Sequence, residues 1–150
     1  MALPEAREFI AGVREKTEKL ALRAMQRLQA DLEGRGYEMS RGALLLASGR
    51  PLPELEKILA SHALIHTADG ELFRECILHA GERCGMEMIS IRERELLEQA
   101  AKALRVPQPQ LLRRVTQLGR AVGSPWTQDE KFATVAAWVA TSTSDKKPPS

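Results

Sequence analysis

Hydrophobic residues recur at helical spacing over the first part of the chain. This stretch opens at Pro4, which suits the first turn of a helix, and it ends at Gly34 and Gly36. Arg, Lys and Glu fill the opposite face. The pattern predicts an amphipathic N-terminal helix over residues 1–34. Its apolar stripe consists of Phe9, Ile10, Val13, Leu20, Ala24, Leu28 and Leu32.

Two short segments depart from helical spacing and favour β-strands. Leu44–Ala47 is apolar and uncharged and leads into a loop at Gly49-Arg50-Pro51, whereas Met88–Ile91 closes the mixed run MEMISI. Lys57–Ile65 is ambiguous between a helix and a third strand. We therefore expect a small sheet of two or three strands.

Helical spacing returns between and after these segments. Thr67-Ala68-Asp69-Gly70 interrupts the first of these helices, and Thr67 is placed to cap the next one, which ends at Gly85. Thr127 and Glu130 form a capping box at the start of the last helix. The predicted helices are Pro53–His66, Thr67–Gly85, Glu93–Leu104, Gln108–Val122 and Thr127–Ala140.

The order of elements predicts a helix-rich α/β fold. A small sheet is flanked by five to six helices, and strands separated by helical crossovers favour a parallel or mixed sheet. We expect one globular domain over residues 1–140 and a disordered polar tail over residues 141–150.

Composition restricts the class of protein. The 150 residues are 43% hydrophobic and 28% charged, which is close to globular averages. The formal net charge of +2 does not indicate a nucleic-acid-binding surface, and Met1–Glu18 lacks the apolar run of a secretory signal. Cys76 and Cys84 would lie roughly 12 Å apart on one helix, too far for a disulfide. A cytoplasmic protein with reduced thiols is expected.

The residues best suited to catalysis lie where the predicted helices Pro53–His66 and Thr67–Gly85 meet. His62 and His66 are four residues apart, which places both on one helical face, and an interruption at Asp69-Gly70 would return Glu71 towards them. Histidine is the usual general base near neutral pH, and two histidines with a carboxylate also suit a metal. We assign His62, His66 and Glu71 as candidate catalytic residues and leave the metal open. The alternative is a helix end at which one histidine caps backbone carbonyl groups and the other is packed.

A ligand site is expected where the two strands end. In open α/β sheets, ligands bind beyond the carboxyl ends of the strands. This rule brings together Ser48 and Arg50 after the first strand and Arg92 after the second, and the two guanidinium groups suit a phosphate or carboxylate. The alternative is a pair of solvated loops.

From Gly42 onward, the order of elements also resembles ribonuclease H-like domains. Gly42–Ser48 resembles an early strand, Met86–Ile91 the following strand, and Thr67–Gly85 the helix in which that family places an acidic metal ligand. The resemblance implies that role for Glu71, and for Asp129 the role of a late acid. The chain departs from the family where Arg92-Glu93 stands in place of an acid in an Asp-Ser context.

Two functions follow from these patterns. One is a small hydrolase or phosphoryl-handling enzyme, with a nuclease of the ribonuclease H-like type as a minor variant. The other is a helical interaction or regulatory module that forms a homodimer through its N-terminal helix. The sequence specifies no cofactor and does not indicate a membrane partner.

Overall fold

A computed structural model describes residues 3–47 and 51–142. It confirms the helix-rich α/β fold, with six α-helices and a two-stranded parallel sheet in the described part of the chain. A 3-10 turn at Glu93–Glu95 precedes α4. The elements, in chain order, are α1 Leu3–Gly34, β1 Arg41–Leu46, α2 Leu55–Leu59, α3 His62–Arg83, β2 Glu87–Arg92, α4 Leu96–Leu104, α5 Gln108–Val122 and α6 Gln128–Ser142.

The chain divides into two compact units, each assembled from two segments. The helical unit takes residues 1–40 and 50–87, which include α1, α2 and α3. The sheet unit takes residues 41–49 and 88–150, which include β1, most of β2, and α4, α5 and α6. The chain therefore passes from the helical unit into the sheet unit, back again, and once more into the sheet unit.

The helical unit buries few side chains. α1 packs along α3, and Arg14 on α1 joins Glu75 on α3 through a 2.7 Å ion pair. Gln29 on α1 also donates a hydrogen bond to the carbonyl oxygen of Cys84. Of the 32 residues of α1, however, Ala6 alone is buried. Much of the apolar surface of this helix is consequently not covered within its own unit.

The sheet unit contains a conventional aliphatic core. Leu96 and Ala100 on α4 pack with Leu111 and Val115 on α5, and all four are at most 1% exposed. α6 packs against both α4 and β1. The remaining buried members of this core are Ile91, Val135, Ala136 and Val139. Burial of these aliphatic groups is the main stabilising contribution in this unit.

The break between the second and third helices lies between Leu59 and His62, not at the predicted Thr67–Gly70. α3 begins at His62 and continues through Asp69 and Gly70 to Arg83. Its N-cap is Ser61, whose hydroxyl accepts a hydrogen bond from the backbone N–H of Leu64, so the prediction that Thr67 caps this helix is wrong. One glycine inside a helix costs only about 1 kcal/mol relative to alanine, which packing readily outweighs.

The other boundaries match the pattern more closely. α1 ends at Gly34 and is followed by Gly36 at a φ of 84°, and Gly85 after α3 has a φ of 78°. Lys57–Ile65 contributes to α2 and α3, so this segment does not form the third strand. Of the predicted disordered tail, Thr141 and Ser142 belong to α6, and residues 143–150 lie outside the described residues.

Candidate functional site

The two histidines of the predicted catalytic site are neighbours on the first turns of α3. Their Nε2 atoms are 3.0 Å apart, and their rings meet edge to face with centroids 4.4 Å apart. A hydrogen bond between the two Nε2 atoms needs one ring to donate and the other to accept. His62 and His66 are both exposed. The spacing predicted this juxtaposition correctly, and it places the pair on the surface of the helix.

Glu71 does not join the histidine pair. Because α3 is continuous, Glu71 lies about 140° around the helix from His66, at 100° per residue. Its carboxylate instead pairs with Arg74 at 3.2 Å. The expected return of Glu71 towards the histidines is therefore wrong, since it depended on a helix break at Asp69-Gly70 that does not occur.

Within residues 3–47 and 51–142, no group of three or more His, Cys, Asp or Glu side chains is arranged to hold an ion. Glu71 and Asp129, the acids implied by the ribonuclease H-like resemblance, belong to α3 and α6 respectively.

The carboxyl ends of the two strands border a cleft in the sheet unit. This cavity of about 610 Å³ is lined by Ala47 after β1 and by Glu93 and Arg94 after β2, together with Leu97, Glu98, Gln108 and Phe132. Arg92 is exposed, pairs with Glu95 at 3.3 Å and does not line this cleft. The arginine that lines it is Arg94, which lies 3.6 Å from the same carboxylate. The predicted ligand residues Ser48 and Arg50 lie outside the described residues.

A groove on α1 was not anticipated from the sequence. Phe9, Gly12, Val13 and Lys16 surround a shallow cavity of about 340 Å³, which Glu5 and Glu8 extend towards the start of the helix. Nothing lies within 4 Å of the position that a Gly12 Cβ would take. A glycine among apolar residues at helical spacing is the feature that could have predicted this groove. We call it the Gly12 groove.

Large apolar side chains on the same helix point into solvent. Phe9 is 64% exposed and Leu20 is 65% exposed. They are eleven residues apart, which places them within about 20° of each other around a regular helix. Leu28, further along α1, is 48% exposed. Phe9, Leu20 and the Gly12 groove form an uncovered strip along α1, and Leu28 lies about 80° further around the helix.

Comparison of the chain with protein-family models, with curated proteins and with solved structures finds no match. In the described part of the chain, no helix has the length and apolar character that crossing a membrane requires.

Proposed function

We propose that the helical unit is an interaction module through which two copies of the chain associate, with their α1 helices antiparallel. The observation that carries the proposal is the exposure of Leu20 on the face of α1 that also holds the Gly12 groove. A helix in a globular protein gains most of its stability by burying its apolar face. Association would supply that burial for the strip that α1 leaves in solvent.

The spacing within α1 favours one register. Phe9, Gly12, Val13 and Lys16 stand at positions i, i+3, i+4 and i+7, which is the arrangement that receives one side chain from a facing helix. An antiparallel pair with a twofold axis beside Lys16 brings Leu20 of each copy to the groove of the other. Gly12 has no side chain, so the incoming leucine can approach the backbone.

Charges along α1 agree with this direction. Glu5 and Glu8 lie at the N-terminal end of the groove, whereas Arg23 and Arg27 follow Leu20 and are exposed. In an antiparallel pair the acidic end of one helix meets the basic stretch of the other, and opposite charges favour that orientation. At the axis, Lys16 of one chain would face Lys16 of the other, so the repulsion between these two positive charges opposes association. Lys16→Gln should therefore strengthen the pair.

An enzyme based on His62, His66 and Glu71 receives less support from the geometry. The two histidines are adjacent, but Glu71 faces away from them and is paired with Arg74. A general base and its partner need to be within hydrogen-bonding reach of a common reacting group. This hypothesis stays a prediction and is tested below with the histidine variants.

Sedimentation equilibrium of the full chain tests the self-association. We expect a concentration-dependent dimer that Leu20→Glu converts to a monomer, because the charge would have to enter the partner's groove. Val122→Glu is the matched control, since Val122 is 69% exposed but lies on α5 in the sheet unit. A chain that is monomeric at all concentrations, or equal effects of the two variants, would overturn the proposal.

Cross-linking tests the antiparallel register. Glu8→Cys and Arg23→Cys are combined in a Cys84→Ser background and treated with a short bis-maleimide. The two positions are roughly 22 Å apart along one helix, so a short link must join two copies. We expect the double variant to form covalent dimers and each single variant to form few. Efficient linking of the single variants would instead indicate a parallel pair.

A second proposal is that the strand-end cleft binds an anionic ligand, as a hydrolase or phosphoryl-handling enzyme would. The observation that favours it is the position of this cleft at the carboxyl ends of two parallel strands, beside Arg94. Titration with inorganic phosphate, followed by NMR, should shift the amides of Glu93 and Arg94. Arg94→Gln should abolish the shifts, whereas Arg120→Gln on α5 should not. Absence of saturable shifts would exclude phosphate binding.

A further inference from the structure

A second cavity of the helical unit lies among its three helices. It has a volume of about 430 Å³, and its lining comes from the first half of α1, from α2 with the preceding Leu52, and from the first half of α3. Ile10, Leu55, Ile58, Ile65 and Leu72 provide much of its apolar wall. A mostly apolar cavity of roughly 300–1,000 Å³ is typical of small-molecule sites. We call it the three-helix pocket.

Two charged side chains reach this otherwise apolar lining, and they differ in their surroundings. Arg14 donates a 2.7 Å hydrogen bond to Glu75, which raises the pKa of its guanidinium further, and Glu18 adds a smaller effect in the same direction. Asp69 is exposed, and its carboxylate has no ion pair or side-chain hydrogen bond within the described residues. Glu75 therefore matches the positive charge of Arg14, whereas the carboxylate of Asp69 has no such partner among residues 3–47 and 51–142.

We propose that the three-helix pocket binds a small amphiphilic amine. Its aliphatic body would occupy the apolar cavity, and its ammonium group would pair with Asp69 at the rim. An anionic amphiphile of the same length is disfavoured, because Arg14 is already engaged by Glu75 while Asp69 would repel a carboxylate. The inference does not require the self-association of α1, since the pocket and its charges belong to a single copy; Phe9 and Val13 line both this pocket and the Gly12 groove.

Three ligands of equal chain length separate the contributions of apolar contact and charge. Decylamine, decanol and decanoate are titrated into the full chain below the concentrations at which they form micelles, and binding is followed by NMR of the methyl groups of Ile58 and Ile65. We expect saturable binding of decylamine, weaker binding of decanol and the weakest binding of decanoate. Equal affinity for decylamine and decanoate, or no saturable binding of decylamine, would overturn the proposal.

Two substitutions test the role of Asp69. Asp69→Asn should weaken decylamine binding by about tenfold, which is the lower range for loss of a charge-assisted hydrogen bond, and should leave decanol binding unchanged. Glu33→Gln removes one negative charge from the far end of α1 and should alter neither ligand. If the two variants weaken decylamine equally, general electrostatic attraction explains the binding and the Asp69 pairing is wrong.

A filled pocket provides the complementary test. Ala68 lines the cavity on α3, and Ala68→Met should extend a flexible apolar side chain into it. Both decylamine and decanol should then bind several-fold more weakly, with the helical circular dichroism signal retained. Ala63→Met, on the exposed side of the same helix, is the control. Unchanged decanol binding in folded Ala68→Met would place the ligand elsewhere and overturn the assignment.

Discussion

The indole N–H of Trp126 donates a 3.0 Å hydrogen bond to the carbonyl oxygen of Val115 on α5. The same ring lies against the backbone of Gly119, where a Cβ would stand 2.1 Å from Cδ1 of the indole. We predict that Gly119→Ala lowers the free energy of unfolding by roughly 1–3 kcal/mol, because the ring must move out of its packed position. Urea unfolding followed by tryptophan fluorescence measures the change.

Gly70→Ala is the control for this substitution. Gly70 also lies inside a helix, but its nearest neighbour is the guanidinium end of the Arg74 side chain at 3.1 Å, which can move. Alanine should therefore stabilise α3 by up to about 1 kcal/mol, the usual difference in helix propensity. Destabilisation by both alanines to the same degree would contradict the role given to Trp126.

The N-cap of α3 gives a second prediction. The Ser61 hydroxyl accepts a hydrogen bond from the backbone N–H of Leu64. Thr67 lies inside the helix, and its hydroxyl donates a hydrogen bond to the carbonyl oxygen of Ala63. Ser61→Ala should cost about 1 kcal/mol of stability through loss of the cap. Thr67→Ala should be neutral or slightly stabilising, since alanine has the higher helix propensity. Thermal unfolding measures the stability of the two variants. A greater loss for Thr67→Ala than for Ser61→Ala would indicate that Thr67 is the cap.

The capping box of α6 predicts a dependence on pH. The Thr127 hydroxyl and backbone N–H both hydrogen-bond the carboxylate of Glu130, and these bonds lower the pKa of that carboxyl group. The unfolded chain, with an ordinary glutamate pKa of about 4.3, then takes up the proton at a higher pH than the folded chain. The stabilisation is present above that value and is lost as the pH falls through the lower folded pKa.

Glu130→Gln isolates this effect, because glutamine keeps a hydrogen-bond acceptor at the same position and does not titrate. Stability curves between pH 6 and pH 3 should show a smaller acid loss for Glu130→Gln than for the unsubstituted chain. Glu33→Gln, at the end of α1, serves as the control. Parallel curves for all three proteins would show that the capping carboxylate contributes no pH dependence.

The sequence predicted the elements better than it predicted the site. Residues with strong local preferences marked true boundaries: Gly34 ends α1, and Thr127 with Glu130 opens α6. Asp69-Gly70 has the composition of a turn, yet α3 continues through it because its packing against α1 outweighs a local preference.

The contrast between local sequence preference and tertiary packing also explains which predicted site residues lie together. His62 and His66 depend only on helical spacing, and they are neighbours as expected. The predicted position of Glu71 depended on a change of chain direction, and that prediction was wrong because α3 continues without a break. The Gly12 groove and the three-helix pocket are properties of surfaces, and which apolar positions remain uncovered is decided by tertiary packing.

The cysteines provide a prediction about reactivity. Cys76 is 1% exposed, and burial raises the pKa of its thiol, with a smaller contribution from Glu18, whereas Cys84 at the end of α3 is half-buried. Cys84 should therefore react several-fold faster with a thiol reagent under native conditions. Stopped-flow labelling should show a fast and a slow phase, and Cys84→Ser should remove the fast one. Loss of the slow phase instead would reverse the assignment.

The histidine pair is tested by replacing each ring. Both side chains are exposed, so His62→Ala and His66→Ala should each change the free energy of unfolding by no more than about 0.5 kcal/mol. Neither should affect the sedimentation of the chain or the proposed self-association, because the pair lies on α3. Chemical denaturation and sedimentation on the same samples make the measurement. Loss of a hydrolytic activity at unchanged stability would revive the enzyme hypothesis.

The division of each unit into two chain segments has a consequence for biosynthesis. The 40 residues from 47 to 86 lie between β1 and β2, so β1 leaves the ribosome well before its partner strand does. At about 5–20 residues per second, the nascent chain carries an unpaired strand for several seconds. α1 likewise emerges before α3, the helix against which it packs. A ribosome-bound chaperone that shields apolar segments would therefore have its longest engagement over Arg41–Leu46, and slowing translation beyond this point should increase aggregation of the nascent chain.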